Sequence, residues 1–175
     1  VQSGNNEILK LMGRRYTIER YKAIYDRLSS LLPNCAFSTD IIVGFPNETD
    51  AQFQDTLALY DYCKFDNAYT FIYSPRSGTP AANMVDNVSI EVKQKRLSML
   101  NEKVDKYAKM KNEVYIDQTV KVLVDGLSKK NKNVYSGYTE TNKLVNFTGV
   151  NLEPGMIVDV LITDAKTWSL NGKCV

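Results

Sequence analysis

Three short stretches carry residue types suited to a small polar ligand: Gln2-Ser3-Gly4, Gly44-Phe45-Pro46-Asn47-Glu48 and Tyr73-Ser74-Pro75-Arg76. Each reads as the C-terminal end of a strand running into a loop, and in parallel α/β barrels functional groups collect at those ends. Glycine and proline there let the backbone approach a flat ligand such as adenine, while Arg76 is suited to a carboxylate or a phosphate. The other reading is that these are only tight strand-to-helix turns, because fold geometry is no proof of a site. Asp40 adds a carboxylate within an apolar strand, where it needs a partner: a ligand, or a Lys or Arg of the interior. Glu48 reads first as a favourable charge near a helix N-terminus and second as a ligand contact.

The chain has no His, which removes the commonest general base and metal ligand. Cys35, Cys63 and Cys174 share no ligand spacing. They are expected to be reduced thiols of a cytoplasmic protein rather than a disulfide framework. No apolar run reaches the roughly 18 to 20 residues of a membrane span, so no membrane partner is expected. Twenty-two basic residues stand against 20 acidic ones, a net charge of +2. That balance does not by itself mark a nucleic-acid binder, and any such site must be a local patch.

The elements that would position these residues follow from periodicity. Asn5 or Asn6 can cap a short helix carrying Ile8, Leu9 and Met12 that ends near Gly13. A second helix starts at Thr17 with Ile18, Tyr21, Ile24, Tyr25, Leu28, Leu31 and Leu32 as one buried face, and Pro33 closes it. Residues 36–43 read as a buried strand. Thr49-Asp50-Ala51-Gln52 fits a capping box ahead of a helix with Phe53, Leu57, Tyr60 and Cys63 on one side. Residues 67–73 form the next strand. Helix and strand thus alternate with short links, which predicts parallel strands under helices.

Ser89 caps a long charged helix with Val92, Leu97, Leu100, Val104 and Tyr107 as its inner stripe, expected to run to about Asn112 as a bridge. Beyond it the period becomes two. Residues 119–124, 134–141, 144–147, 156–163 and 168–173 are five strand candidates, which predicts a small closed β-barrel of the oligonucleotide-binding type. The expected domains are 1–113 and 114–175. In the second, Lys129, Lys130 and Lys132 form the one basic cluster, in a turn that by itself reads as solvated. Thr141, Asn142, Lys143, Lys166 and Trp168 add groups suited to phosphates and unstacked bases, with Trp168 open between core and stacking platform.

The 40–49 stretch, Asp-Ile-Ile-Val-Gly-Phe-Pro-Asn-Glu-Thr, resembles the fifth-strand motif of the tRNA methylthiotransferases of the radical S-adenosylmethionine superfamily. Residues 71–81, Phe-Ile-Tyr-Ser-Pro-Arg-Ser-Gly-Thr-Pro-Ala, resemble their sixth-strand motif. Gln2-Ser3-Gly4 followed by Leu9, Met12 and Arg14 resembles the fourth strand and its helix. Ser128-Lys129-Lys130 and residues 137–147 resemble the terminal RNA-binding module of the family, the TRAM domain. The wording is most similar to members acting on isopentenylated adenosine beside the tRNA anticodon.

The resemblance implies the C-terminal part of a partial, TIM-like parallel α/β barrel, followed by an OB-like TRAM barrel. It implies a radical made from S-adenosylmethionine at one [4Fe-4S] cluster, which abstracts hydrogen from carbon 2 of adenine, and a methylated sulfur supplied at a second cluster. It also implies an electron donor such as flavodoxin or ferredoxin, and tRNA bound by its anticodon arm. By carry-over, Gln2, Ser3, Gly4, Asp40, Gly44, Phe45 and Pro46 would line the S-adenosylmethionine site, with Tyr73, Ser74 and Pro75 near its adenine and Arg14 toward its carboxylate. Arg76, Lys129, Lys130, Thr141, Asn142, Lys143, Lys166 and Trp168 would face RNA. The CxxxCxxC triplet of the family is absent from the chain and would precede Val1, so the missing N-terminal part of the same polypeptide is an expected partner and this stretch alone is expected to be inactive. The alternatives are a sibling enzyme acting on a ribosomal protein or on threonylcarbamoyl adenosine, and a non-catalytic RNA-binding protein.

Overall fold

The computed structural model describes residues 1–129 and 131–175; the expected RNA contact at Lys130 lies outside the described residues. The fold divides into two compact units, Val1–Val104 and Asp105–Val175.

The first unit begins with an extended segment whose Gln2 carbonyl accepts from the Ile42 amide at 3.0 Å. Helix α1 (Asn6–Leu11) follows, its N-terminal amides capped by the Asn5 side chain. Helix α2 (Ile18–Leu31) is capped by Thr17. Strand β1 (Ser38–Val43) leads to helix α3 (Asp50–Cys63), where Thr49 and Gln52 form the reciprocal capping box expected from sequence. Strand β2 (Asn67–Ile72) pairs with β1 in parallel, Ser38 opposite Asn67 through Val43 opposite Ile72. A short 3-10 turn (Pro80–Asn83) precedes helix α4 (Ile90–Glu113).

Two expectations about buried faces need correction. On α2 only Ile18 is fully buried; Tyr21 and Tyr25 are half-buried, while Ile24 is 51% and Leu31 65% exposed, so the apolar stripe is covered only in part and is open toward its end. On α4, Val92 is exposed, and the buried face runs instead through Lys93, Arg96, Leu100, Val104, Tyr107 and Ala108. Leu100, Val104 and Tyr107 are buried as expected and the helical period holds; only at the start of the helix do Lys93 and Arg96 take the buried positions in place of Val92 and Leu97. The two cations at its start are why hydropathy misplaces it.

The second unit holds the five expected strands: β3 (Thr119–Leu127), β4 (Tyr135–Thr139), β5 (Leu144–Thr148), β6 (Ile157–Ala165) and β7 (Leu170–Cys174). They close into a barrel in the order β3-β4-β5-β7-β6. All pairings are antiparallel except β5 with β7, which is parallel. Alternate residues point inward, and Val122, Val124, Val145, Phe147, Val160, Ile162, Ala165 and Leu170 form the core. The chain is therefore a mixed α/β portion followed by a small OB-like barrel. Among the described residues no helix is long and apolar enough to cross a membrane.

Candidate functional site

Parallel pairing brings three chain segments to one rim. Gln2 is bonded to Ile42, and the Tyr73 amide donates to the Val43 carbonyl at 2.9 Å, so Ser3-Gly4, Gly44-Phe45-Pro46 and Tyr73-Ser74 leave the sheet at the same end. Phe45 and Tyr73 meet edge to face, with ring centroids 4.9 Å apart. The Tyr73 hydroxyl donates to the Ala81 carbonyl at 2.9 Å, which ties the rim to the loop beyond it. Asp40 and Ile42 share a face of the sheet with Tyr69 and Phe71, and Asp40, Tyr69 and Phe71 are exposed there.

Several candidates are held by packing. The Ser3 hydroxyl is buried between Thr56 Oγ1 and the Asn5 amide, which donates to it at 3.2 Å. A Cβ on Gly4 would stand 2.4 Å from the Asp55 carbonyl oxygen, so glycine there permits the close approach of α3. Gly44 has φ +69°, and a Cβ on it would fall 2.3 Å from Cγ of Lys93. Gln2 accepts from the Tyr16 hydroxyl at 3.0 Å. Arg14, Ser74, Pro75 and Arg76 are exposed, while Phe45 and Pro46 are buried.

The turn at Gly44 rests on Glu48 and on two cations, Lys93 and Arg96, that sequence reasoning passes over. The Gly44 amide donates to Glu48 Oε2 at 2.7 Å. Arg96 donates to that same oxygen at 2.9 Å, to the Glu48 carbonyl at 3.0 Å and to Asp50 Oδ1 at 2.7 Å. Glu48 thus turns back into the loop as an acceptor, and is more than the helix-terminal charge expected of it. Its side chain is 1% exposed and that of Arg96 6%. Burial pushes the Glu48 carboxyl above its ordinary value, with the Gly44 amide and Arg96 opposing. Beside it, the Arg96 guanidinium holds Asp50 below the usual carboxylate range. Lys93 lays its stem over Gly44 and sets its ammonium 2.5 Å from Asp86 and 5.5 Å from the Tyr73 ring centroid. The only sequence signal for this pair is its three-residue spacing, in register with Leu100, Val104 and Tyr107.

A cleft of about 430 Å³ opens beside α1, α2 and α3, but of the candidates it takes only Gly4, and Glu7, Glu19 and Asp55 line it. It contains no residue of the Gly44 turn or of 73–76.

In the barrel unit Trp168 is 52% exposed, which decides between core and surface in favour of surface. It lines a groove of about 590 Å³ with Lys166, Lys109, Glu113, Ile116 and Asp164. The side-chain amide of Asn112 donates to the Lys166 and Thr167 carbonyls at 2.9 and 3.0 Å and fixes that hairpin. Lys166 lies 3.0 Å from Asp164 Oδ2. At the β4–β5 turn, Asn142 adopts φ +61°. The Thr141 hydroxyl there sits 2.9 Å from both the Tyr115 and Thr139 hydroxyls. Lys143 is buried and Lys129 exposed, so the two basic candidates have different surroundings.

Among the described residues no three His, Cys, Asp or Glu side chains are grouped to hold a metal ion. Cys35 is exposed, Cys63 buried and Cys174 half-buried, so these cysteines do not fit an iron–sulfur cluster.

Comparison with known proteins gives matches along the whole chain. The family model described as the radical SAM superfamily matches residues 1–60, and that of the TRAM domain matches residues 113–175. A tRNA-2-methylthio-N(6)-dimethylallyladenosine synthase of Bacillus cytotoxicus is 55% identical over 175 residues, all of this chain and 34% of the relative. Synthases of the same name from Anoxybacillus flavithermus and Geobacillus kaustophilus are 55% and 56% identical over the same span, 33% of each. The chain spans about a third of the length of the curated relatives it matches.

Proposed function

We propose that this chain, which belongs to the radical S-adenosylmethionine methylthiotransferases, serves the methylthiolation of carbon 2 of N6-dimethylallyladenosine in tRNA. The observation that carries the reading is the match along all 175 residues to synthases of that activity, with a radical SAM segment and a TRAM segment in order. The sibling substrates, a ribosomal protein or threonylcarbamoyl adenosine, have no comparable support.

S-adenosylmethionine, when bound, supplies the radical precursor of this chemistry. The rim has a donor set that fits it: an exposed Asp40 carboxylate for hydroxyl or ammonium groups, exposed Ser74, and the Phe45–Tyr73 edge beside which an adenine can lie. The backbone of Gly44-Phe45-Pro46, buried and pinned through Glu48, would orient it, and Arg14 would meet its carboxylate. The iron–sulfur chemistry of the family, here read as two [4Fe-4S] clusters, belongs to cysteines other than those of this chain, as does the encounter with a flavodoxin-like or ferredoxin-like electron donor.

We assign residues 1–113 to the S-adenosylmethionine side and 114–175 to RNA. In the second, Lys129 and Lys132 would meet phosphates, and Trp168 would receive a base in its groove beside Lys166. We place the activity in the cytoplasm, where reduced thiols and tRNA coexist.

The test is to incubate the complete gene product, reconstituted with iron and sulfide, with S-adenosylmethionine, reductant and tRNA bearing dimethylallyladenosine. Digested nucleosides are then read by mass spectrometry. A methylthio product from that tRNA supports the reading. Product only from threonylcarbamoyl tRNA or from a ribosomal protein would assign the chain to a sibling.

A further inference from the structure

Glu48, Arg96 and Gly44 form a three-part relay from α4 to the rim. Glu48 Oε2 is shared between the Gly44 amide at 2.7 Å and Arg96 at 2.9 Å. The remaining oxygen, Oε1, is buried and has no hydrogen-bond partner among the described residues. The carboxylate therefore depends on Arg96 for its counter-charge. Asp50, the third charged member, is exposed and draws on water as well as on Arg96.

We propose that Arg96 is a positioning residue for the S-adenosylmethionine site: by neutralising Glu48 it keeps that carboxylate on the Gly44 amide and so holds the Gly44-Phe45-Pro46 turn in its ligand-ready form. This rests on the reading that the turn lines that site. Arg96 itself lies behind the turn, among Glu48, Asp50 and the Phe53 ring, 5.6 Å from the ring centroid, so it acts through Glu48. Removing one member of a buried ion pair leaves an uncompensated charge, whereas removing both leaves none. Glu48 needs that compensation because burial already disfavours its ionised form.

The charged groups that bear on Glu48 are Arg96 from α4 and Asp50 from the start of α3; Lys93, the next cation along α4, is engaged by Asp86. With Arg96 removed, Glu48 is left with Asp50, a like charge. The turn should then lose its hold as pH rises and Glu48 ionises, and regain it as Glu48 takes a proton.

The experiment uses the complete gene product, reconstituted with iron and sulfide, as wild type, Arg96→Met, Glu48→Gln and the double variant. Binding of S-adenosylmethionine is followed by calorimetry, and exchange of the Gly44 amide by hydrogen–deuterium mass spectrometry without ligand. Arg96→Met is expected to weaken binding by roughly tenfold or more, to speed exchange at Gly44, and to recover affinity toward acid pH. Glu48→Gln added to it is expected to restore most of the affinity, because a neutral amide oxygen still accepts from Gly44. Should Arg96→Met not fold, the double variant decides: affinity within a few-fold of wild type supports the relay. Wild-type affinity in Arg96→Met, or equal weakening in single and double variants, would overturn it. Failure of the site reading looks different: S-adenosylmethionine would then give the wild type no added protection at 44–46.

Discussion

At the scale of single residues the three cysteines make a sharp comparison. Burial pushes the Cys63 thiol up to about 12, and its side chain is 1% exposed, whereas Cys35 is open to solvent. Because the thiolate is the reactive form, iodoacetamide at neutral pH should label Cys35 first and leave Cys63 unmodified until the fold is lost. Peptide mapping of the labelled chain checks this, and early labelling of Cys63 would contradict the packing around Tyr25 and α3. Trp168 is a second case. Its exposure predicts that Trp168→Ala leaves the unfolding midpoint nearly unchanged while weakening tRNA binding by about 1–3 kcal/mol per stacked base. Sequence leaves this residue open, since an indole in a short strand segment is equally at home on either face; only its place in the hairpin after β6 decides. Lys143 shows the reverse. It reads as a surface cation, yet it is buried directly after the tight turn at Asn142.

Among elements, the start of α3 is legible in the sequence and the start of α4 is not. The α3 capping box follows from local chemistry alone, a hydroxyl and a side-chain amide three positions apart, and Thr49→Ala should cost about 1 kcal/mol in urea unfolding. The α4 face depends on partners far along the chain, so charges at 93 and 96 look solvated until the Gly44 turn and the start of α3 are placed beside them. Asp50 offers a test of that junction. Its carboxyl is held below the ordinary 3.8 by Arg96, so its contribution is present above that value and lost as pH falls through the lower folded one. Asp50→Asn is therefore expected to lower the urea midpoint at about pH 7 and to make progressively less difference as the pH falls below the ordinary carboxylate value. Glu48 has the opposite sign: with its folded value raised, its contribution is complete below the ordinary 4.5 and declines as pH rises through the folded one.

For the whole molecule, the switch from alternating helix and strand to period-two strands is enough to foresee a mixed α/β portion and a five-stranded barrel. The parallel closure of β5 on β7 is not foreseeable, because no local pattern encodes which distant strand fills a gap. The salt dependence of RNA binding is the matching large-scale test. Replacing Lys129 and Lys132 with Ala should weaken tRNA binding across sequences and flatten the slope against log salt by about 0.7–0.9 for each phosphate left unneutralised. Lys143→Ala should instead show its effect mainly in thermal stability, since that residue is buried. The ion pair behind the rim also constrains the order of events during synthesis. Glu48 and its cation are separated by 48 residues, so at about 5–20 residues per second the ribosome needs some seconds to make the second after the first. Throughout that interval Glu48 can stay hydrated only if the Gly44 turn is unset. The Gly44 turn is then among the last parts of its unit to mature, and a nascent chain stalled before Arg96 would carry the motif without its shape.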